Sequence, residues 1–301
     1  MSFQRVAIIG LGLLGGSIGL AVQANLPELQ LIGYDADPAV RKRAKERGLA
    51  HEIAETAAGA VQGADLVILC VPVGAMATAA REFADVLSPD AVVSDVGSSK
   101  QTVIADLRAA LPGAAIIPAH PVAGTEHSGP DAGFATLFQH RWCIITPPEG
   151  SDQAKVEQLD RFWATLGATV EVMDPQHHDQ VLAVTSHIPH LIAYTIVGTA
   201  SDLEEVKRSE VMKYSAGGFR DFTRIAASDP TMWRDVFLNN REAVLEMLDL
   251  FLTDLAHMRE AIRASDGETL FDLFTKGRAI RRGIIEMGQD DARPDFGRKD
   301  H

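Results

Sequence analysis

The sequence predicts an α/β domain built on a parallel sheet, followed by a domain of helices alone. Up to about residue 172, short runs of aliphatic and β-branched residues alternate with segments of helical period. After Pro175 the strand-like runs stop and long helical patterns take over. Such alternation is typical of parallel strands, because parallel neighbours need long crossover connections. We therefore expect an α/β domain over 1–173 and a helical domain over 174–301.

The strand-like segments of the first domain are short, apolar and bounded by turn residues. They are VAIIG, LIGYD, ADLVILCVP, AVVSDVG, AAIIPAHP, CIITPP and TVEVMDP. Runs of this kind are typical of strands that are buried on both faces. This pattern predicts a parallel sheet with crossover helices.

The helical patterns of the second half lie at about 176–201, 230–264 and 268–287. In the middle pattern, apolar residues recur at spacings of three and four, or sums of these. They are Trp233, Phe237, Val244, Leu248, Phe251, Leu255, Met258 and Ile262. This face is more apolar than a small domain needs, so we expect part of it to pack against a second copy of the chain. The pattern predicts a homodimer formed through the C-terminal helices.

Composition and charge restrict the class of partner. The 301 residues are 46% hydrophobic and 23% charged, without a run of eighteen apolar residues, so we expect no membrane span. The N-terminus enters a strand-like run without a signal segment, which predicts a cytoplasmic protein. The net charge of −13 disfavours nucleic acid and anionic membranes, so an anionic substrate needs a local basic pocket. Cys70 and Cys143 lie in apolar runs, which favours buried thiols over a disulfide or a metal site.

A glycine-rich turn follows the first strand-like segment. It has the spacing GxGxxG and opens a predicted helix from about Leu14 to Ala24. In such turns the first glycine permits a tight bend, the second lets the backbone approach a pyrophosphate, and the third allows close helix–strand packing. The phosphates would lie at the helix N-terminus, as in Rossmann-type dinucleotide sites. The residues expected to contact the dinucleotide are Gly10, Gly12, Leu13, Leu14 and Gly15.

Asp35 ends the second strand-like segment, where a carboxylate can accept both ribose hydroxyls of an adenosine. The following Ala36 and Asp37 offer no cation for a 2′-phosphate, so we expect NAD rather than NADP. Arg41 and Arg43 are close enough in the sequence to leave NADP open.

Three polar clusters occur in the rest of the sequence. They are DVGSSK at 95–100, HPVAGTE at 120–126 and SHIPH at 186–190. The first two follow strand-like segments, on the side where the cofactor is expected. Val71 and Pro72 end another segment at the same edge, and we expect them to pack near the cofactor.

His120 is the candidate general base. Hydride removal from a carbon that bears a hydroxyl requires loss of the hydroxyl proton, and imidazole titrates near the working pH. A histidine that satisfies backbone groups in a turn before Pro121 is the alternative, but the neighbouring dinucleotide site favours catalysis. We expect Ser98 to hydrogen-bond His120 or the substrate hydroxyl, and Lys100 to begin the next helix or hold a loop. Simple helix capping explains both of these residues equally well.

Arg220 and Arg224 follow a glycine pair at 217–218. Two guanidinium groups in this arrangement suit bidentate binding of carboxylates. An ordinary solvated basic face explains them as well.

Taken together, GLGLLGGS, DVGSSK, HPVAGTE, SHIPH and GGFRDFTRIAASDPTMW stand in an order that resembles the prephenate and arogenate dehydrogenase family. The resemblance spans residues 5 to about 263. It implies NAD-dependent oxidative decarboxylation in tyrosine biosynthesis, without a metal. It also implies a Rossmann-type domain followed by an all-helical dimerisation domain.

The resemblance assigns roles to residues of these motifs. It implies that His120 accepts the hydroxyl proton and that Ser98 orients His120 or the nicotinamide. His190 would position the substrate and Arg224 would bind its ring carboxylate. The family lines or gates the pocket with three further positions, which here are Glu126, Arg220 and Trp233.

Other functions stay open on the residues alone. A β-hydroxyacid dehydrogenase of the same two-domain shape would use a catalytic lysine in its helical half, where Lys207 and Lys213 lie without a recognisable setting. A non-enzymatic NAD-sensing regulator would need a partner surface and no proton-abstracting group near the cofactor. The acidic charge disfavours a DNA-binding regulator. The sequence leaves open whether the substrate carries a keto group, as in prephenate, or an amine, as in arogenate.

Overall fold

A computed structural model of the chain describes residues 3–125, 127–202, 213 and 217–286. The chain divides into two compact units, Met1–Leu245 and Glu246–His301. The first unit contains both sheets and all of the site residues considered below. The domain boundary expected between residues 173 and 174 stays a prediction.

In the described part of the chain, six parallel strands form the larger sheet, in the order β3-β2-β1-β4-β5-β6. They are β1 (Arg5–Ile9), β2 (Gln30–Tyr34), β3 (Glu52–Ile53), β4 (Leu66–Leu69), β5 (Val92–Asp95) and β6 (Ala115–Ile116). The helices that connect them are α1 (Leu13–Asn25), α2 (Pro38–Arg47), α3 (Ala57–Val61), α4 (Met76–Arg81) and α5 (Gln101–Ala110). The strand order reverses between β1 and β4, where folds of this type bind dinucleotides. The predicted Rossmann-type fold is confirmed.

A smaller sheet holds β7 (Ala119–Pro121), β8 (Trp142–Ile145) and β9 (Thr169–Val172), in that order. β7 pairs antiparallel with β8, whereas β8 and β9 are parallel and are connected by α6 (Gln153–Thr165). The predicted parallel sheet is confirmed, but the segments CIITPP and TVEVMDP lie in this second sheet. The segment AAIIPAHP divides at Pro118, which has no N–H to donate to a ladder, so the chain leaves the larger sheet there.

Apolar side chains cover both faces of the larger sheet. On β1, Ile8 belongs to one buried cluster and Ile9 to the other, because successive side chains of a strand point to opposite faces. The first cluster includes the fully buried Trp163, which meets Phe138 edge-on with ring centroids 5.3 Å apart. Burial on both faces explains why the strand-like segments are almost continuously apolar.

The second half of the described chain is helical, as predicted. Its helices are α7 (Pro175–Leu182), α8 (Ile188–Ser201), α9 (Gly217–Thr223), α10 (Pro230–Asn239), α11 (Arg241–Ala264) and α12 (Gly267–Glu286). A single π turn, Ala183–His187, joins α7 to α8. The pattern predicted as one helix over 230–264 is two helices, because Asn240 leaves the helical region with φ −113° and ψ 33°. The side-chain amide of the buried Asn240 donates to the backbone carbonyl of Asp179 at 2.8 Å.

The helical stretch Pro175–Ser201 is, among the described residues, long and apolar enough to cross a membrane on length and composition. This finding differs from the sequence expectation, and 28% of its most apolar window is buried. The stretch also carries the buried polar side chains of His178, Asp179 and His187. These side chains belong to the site described below.

The glycine turn provides a matched pair of variants that tests the packing of α1 on β1. A Cβ at Gly15 would lie 1.9 Å from the Gly10 carbonyl oxygen, whereas a Cβ at Gly12 would meet nothing within 4 Å. We expect Gly15→Ala to destabilise the protein by about 1–3 kcal/mol, because backbone must shift, which lowers the Tm by roughly 3–10 °C. Gly12→Ala should leave the Tm nearly unchanged. Thermal unfolding followed by circular dichroism checks both, and a wild-type Tm for Gly15→Ala would contradict the close packing.

Candidate active site

The glycine turn lies between the carboxyl end of β1 and the start of α1. Gly10 has φ +101°, and a Cβ there would lie 2.6 Å from the Cys70 carbonyl oxygen, so only glycine fits. The position beside Gly12 is open, and Leu13 and Leu14 are partly buried. Open space next to the first N–H groups of a helix suits a pyrophosphate, which those groups and the helix dipole would stabilise. The turn therefore fits the predicted dinucleotide.

Asp35 follows the last residue of β2. Its Oδ2 accepts a hydrogen bond from the Leu11 N–H at 2.8 Å, and its Oδ1 accepts one from the Asp37 N–H at 2.9 Å. These bonds hold the carboxylate beside the glycine turn, at the end of the strand next to β1. This is the position from which a carboxylate can bind ribose hydroxyls.

Arg41 and Arg43, the cations that left NADP open, are engaged with acidic neighbours. Arg41 pairs with Glu55 at 3.3 Å and also donates to the Asp35 carbonyl at 2.9 Å. Arg43 pairs with Asp131 at 2.8 Å. The arrangement therefore favours NAD over a dinucleotide with an additional 2′-phosphate.

Val71 and Pro72 follow β4, at the edge where the strand order reverses. Val71 is partly buried and its Cγ1 lies 3.0 Å from the position that a Cβ of Gly10 would occupy. Pro72 is exposed. Val71 therefore lies beside the glycine turn, and the packing of both residues near the cofactor stays a prediction.

His120 lies on β7 and is only 8% exposed. Its Nδ1 is 2.9 Å from Nε2 of His178, and Nδ1 of His178 is 2.9 Å from Oδ1 of Asp179. A buried chain of carboxylate, imidazole and imidazole therefore ends at the candidate base.

Burial is the main cause of the electrostatic state of these histidines. It lowers the pKa of His120 well below its ordinary value, and the nearby His178, Lys100 and His187 lower this pKa further. Burial also lowers the pKa of His178, against the opposing effect of Asp179. The pKa of His187 falls to about 4, again mainly through burial. His120 is therefore neutral at pH 7 and able to accept a proton.

Sequence reasoning missed His178 and Asp179. Asp179 is 1% exposed and accepts hydrogen bonds from the backbone N–H groups of Lys100 and Gln101, at 2.8 and 2.9 Å. These groups lie at the N-terminus of α5, where backbone N–H groups lack partners inside the helix. Asp179 thereby joins α7 to α5. No signal in the sequence distinguishes it, because α7 reads PQHHDQVL and Asp179 lies among polar neighbours.

Lys100 is fully buried, as is its partner Asp95. Its Nζ lies 2.6 Å from Oδ2 of Asp95 and donates to the Ala119 carbonyl at 2.7 Å. Burial raises the pKa of Asp95, while the ion pair with Lys100 opposes this shift. Lys100 stands directly before α5, as expected, and its side chain holds strand β7 at the residue before His120.

Ser98 lies in the loop between β5 and α5 and is partly buried. Within the described residues its hydroxyl makes no hydrogen bond to His120, whose Nδ1 bonds His178 instead. The role of Ser98 toward the substrate or the nicotinamide stays a prediction.

His190 and Trp233 are stacked, with ring centroids 3.6 Å apart and an angle of 24° between the planes. Nδ1 of His190 donates to the Ser186 carbonyl at 2.8 Å, which leaves Nε2 for another partner. Burial lowers the pKa of His190, the hydrogen bond to Ser186 opposes this shift, and the positive charge of Arg224 lowers the pKa further. Arg220 is exposed on α9. Glu126 lies outside the described residues.

Near this stack, two buried polar atoms have no hydrogen-bond partner within the described part of the chain. They are Nε2 of His187 and Nε1 of Trp233. The two rings are in edge contact, with centroids 6.0 Å apart. Unpartnered buried groups are rare in proteins, and a ligand is one way to satisfy them. The described residues contain no group of three or more His, Cys, Asp or Glu side chains that could hold a metal ion.

Comparison with known families agrees with this geometry. The nucleotide-binding domain of prephenate dehydrogenase matches residues 18–172, and the dimerization domain of prephenate dehydrogenase matches residues 174–276. Together these matches cover most of the chain.

Individual relatives lead to the same family. A cyclohexadienyl dehydrogenase from Zymomonas mobilis is 43% identical over 282 residues, which cover 94% of this chain and 96% of the relative. A prephenate dehydrogenase from Bacillus subtilis is 34% identical, with 97% of this chain and 79% of the relative covered. The crystal structure of prephenate dehydrogenase from A. aeolicus, in complex with hydroxyphenyl propionate and NAD+, has a TM-score of 0.88 and 34% identity, covering 94% of this chain and 99% of that one. The chain belongs to the prephenate dehydrogenase family.

Proposed function

We propose that this protein is an NAD-dependent dehydrogenase that oxidatively decarboxylates prephenate, arogenate or both in tyrosine biosynthesis. The observation that carries the proposal is a buried, neutral His120 in the same unit as a glycine turn that fits a dinucleotide. The relatives support it, because they are named prephenate or cyclohexadienyl dehydrogenases. The A. aeolicus relative was crystallised with NAD+ and a hydroxyphenyl acid.

The cofactor in this proposal is NAD. Asp35 would bind the adenosine ribose, and the other contacts would come from Gly10, Gly12, Leu13, Leu14, Gly15, Val71, Pro72 and Ser98. Bound NAD+ supplies the hydride acceptor, at its nicotinamide. The ion pairs of Arg41 and Arg43 with acidic residues support NAD over NADP.

His120 acts as the base in this reaction. It takes the proton of the ring hydroxyl while the carbon that bears the hydroxyl gives up hydride and becomes a carbonyl carbon. The resulting dienone is a vinylogue of a β-keto acid, so carbon dioxide leaves readily and the ring becomes aromatic. For this reaction the protein has to orient the substrate, exclude water from it and remove one proton. Neither a metal nor a Schiff base is needed.

The substrate in this proposal is bound around the stack of His190 on Trp233. Arg224 is assigned to the ring carboxylate, because a guanidinium can bind a carboxylate through two hydrogen bonds and the charge of Arg224 already reaches His190. Ser98 is assigned to orienting His120 or the nicotinamide. Glu126 and Arg220 are assigned to the rim of the pocket. The unpartnered buried Nε1 of Trp233 supports a ligand at this place.

The alternative functions have less support. A β-hydroxyacid dehydrogenase needs a catalytic lysine, but Lys213 is exposed and Lys207 lies outside the described residues. An NAD-sensing regulator does not need a proton acceptor, so it does not explain the neutral imidazole of His120 in its buried chain of hydrogen bonds. The family of the chain also favours the dehydrogenase.

We propose a homodimer as the working form, with its interface on α11 and α12. Large apolar side chains are exposed on these helices, namely Leu245, Leu250, Leu252, Leu255, Ile262, Phe271, Phe274 and Ile280. The matching family domain over 174–276 is a dimerization domain, which also supports a functional boundary at 173/174. We further propose that the protein is cytoplasmic. We also propose that it has no nucleic-acid or membrane partners, because a net charge of −13 repels polyanions.

Turnover of the two acids tests the proposed function. We expect NAD+ reduction with prephenate, arogenate or both, and His120→Asn should lower kcat by about 10²–10⁴-fold because an amide cannot take the proton. NAD+ affinity, measured by titration, should stay nearly unchanged. His177→Asn is the matched control, since His177 is exposed near the same site, and it should behave as wild type. Near-normal turnover by His120→Asn would reject His120 as the base.

The pH dependence of kcat/KM tests the electrostatic state of the base. Burial lowers the pKa of His120, so this imidazole stays unprotonated while the pH falls through its ordinary value of 6.5. We therefore expect kcat/KM, which reports the free enzyme, to stay level through that pH and to fall only under more acidic conditions. A decline that sets in at pH 6.5 or above, measured with NAD+ saturating, would contradict a buried neutral base.

Sedimentation tests the dimer. At micromolar concentration we expect a mass of about twice the 32.4 kDa of one chain. Leu255→Asp should shift the protein toward monomers by placing a charge in the apolar face, whereas Thr253→Asp, at an exposed polar position of the same helix, should not. A monomeric wild-type protein would rule out the proposed interface.

A further inference from the structure

The structure assigns Asp179 and His178 as a positioning pair that holds His120 in the tautomer that a base requires. Neither residue belongs to a motif that predicted the site, and neither is reached by solvent, with exposures of 1% and 0%. The inference rests on the proposed function, in which His120 takes the substrate proton.

The direction of the hydrogen bonds follows from the carboxylate end of the chain. A carboxylate only accepts, so the bond of 2.9 Å between Asp179 and Nδ1 of His178 places a proton on that nitrogen. A neutral His178 then has a bare Nε2, which can only accept. The bond of 2.9 Å from His178 to His120 therefore needs the proton on Nδ1 of His120. Nε2 of His120 is left bare, ready to receive a proton.

Asp179 is held as an acceptor from other sides as well. The N–H groups of Lys100 and Gln101 donate to its two oxygens, at 2.8 and 2.9 Å. Asn240 donates to the backbone carbonyl of the same residue at 2.8 Å. The two backbone N–H groups on the carboxylate only donate, so neither of them can accept a proton from it. The surroundings of Asp179 therefore fix the polarity of the whole chain.

The other tautomer of His120 does not fit this arrangement. With its proton on Nε2, His120 would present the lone pair of Nδ1 to the lone pair of His178, and a buried hydrogen bond would be lost. That tautomer also has no lone pair at Nε2, so it cannot act as a base there. The pair formed by His178 and Asp179 thus favours the tautomer of His120 that can accept a proton at Nε2 over the tautomer that cannot.

The remaining charges around His120 do not replace this pair. Lys100 is already bonded to Asp95 and to the Ala119 carbonyl, and it lowers the pKa of His120 without bonding to the ring. His187, on the π turn, also lowers the pKa of His120, and it is itself neutral because its own pKa is lowered to about 4. Within the described residues, the His120 ring therefore takes its orientation from His178.

Nitrogen NMR of the histidines tests the tautomer without any assay of activity. In protein labelled with ¹⁵N-histidine and free of NAD+, we expect His120 to carry its proton on Nδ1 and to have an unprotonated Nε2. The His120→Asn spectrum identifies the signals of this ring. A proton on Nε2 of His120 in the wild-type protein would overturn the inference.

A matched pair of variants at His178 tests the effect on catalysis. His178→Leu removes the hydrogen-bond acceptor of His120, and we expect kcat to fall about 10–100-fold. The KM values for NAD+ and for the acid should change less than about twofold. His178→Gln can offer an amide oxygen to Nδ1 of His120, and it should recover most of the lost kcat and the wild-type tautomer. His177→Leu is the control, because His177 is exposed and one residue away, and it should leave kcat at the wild-type value.

The outcomes are distinguishable. If His178→Gln loses as much kcat as His178→Leu, an acceptor at this position is not what His120 needs, and the inference fails. If His178→Leu does not fold, as judged by its thermal unfolding, the tautomer and the kcat of His178→Gln decide the question. If the wild-type protein turns over neither acid, the proposed function fails, while the NMR result still decides the tautomer.

Discussion

A carboxylate that is removed from water has to accept hydrogen bonds from its surroundings, and at Asp179 this requirement organises the site. The donors come from the first turn of α5 and from His178, which in turn holds His120 on β7. A change in the position of α7 would leave a buried charge without partners, at a cost of several kcal/mol. The neighbouring pair of Lys100 and Asp95 ties β5 to β7 by the same principle. Two buried carboxylates thus fix the place of the candidate base.

Burial has a second consequence, which concerns function more than stability. It keeps His120 neutral, since its neighbours Lys100, His178 and His187 add no negative charge that would favour protonation. The proposed anion-binding group is Arg224, whose positive charge lowers the pKa of the stacked His190, in a chain with a net charge of −13. The proton acceptor and the proposed anion-binding group are therefore different residues. This separation suits a reaction in which a carboxylate must be bound before a hydroxyl proton is removed.

Features set by local chemistry could be predicted from the sequence. The glycine turn, the strand-like segments and the helical half depend on neighbouring residues, and their positions agree with the structure. The split between β6 and β7 at Pro118 and the break at Asn240 were missed, because the partners that stabilise them are distant in the sequence. His178 and Asp179 were missed for the same reason, since they bond residues 58 and 79 positions away. His178 and Asp179 lie among other polar residues of α7, so nothing local marks them as partners of the site.

Proton removal by His120 depends on where its free nitrogen lies relative to a bound substrate. A crystal structure of this protein with NAD+ and hydroxyphenyl propionate measures that distance directly. If His120 is the base, the phenol oxygen lies about 2.6–3.2 Å from Nε2 of His120, and Nδ1 of His120 is still bonded to His178. A ring turned away from the phenol, or bonded to it through Nδ1 with the His178 contact broken, would contradict the account.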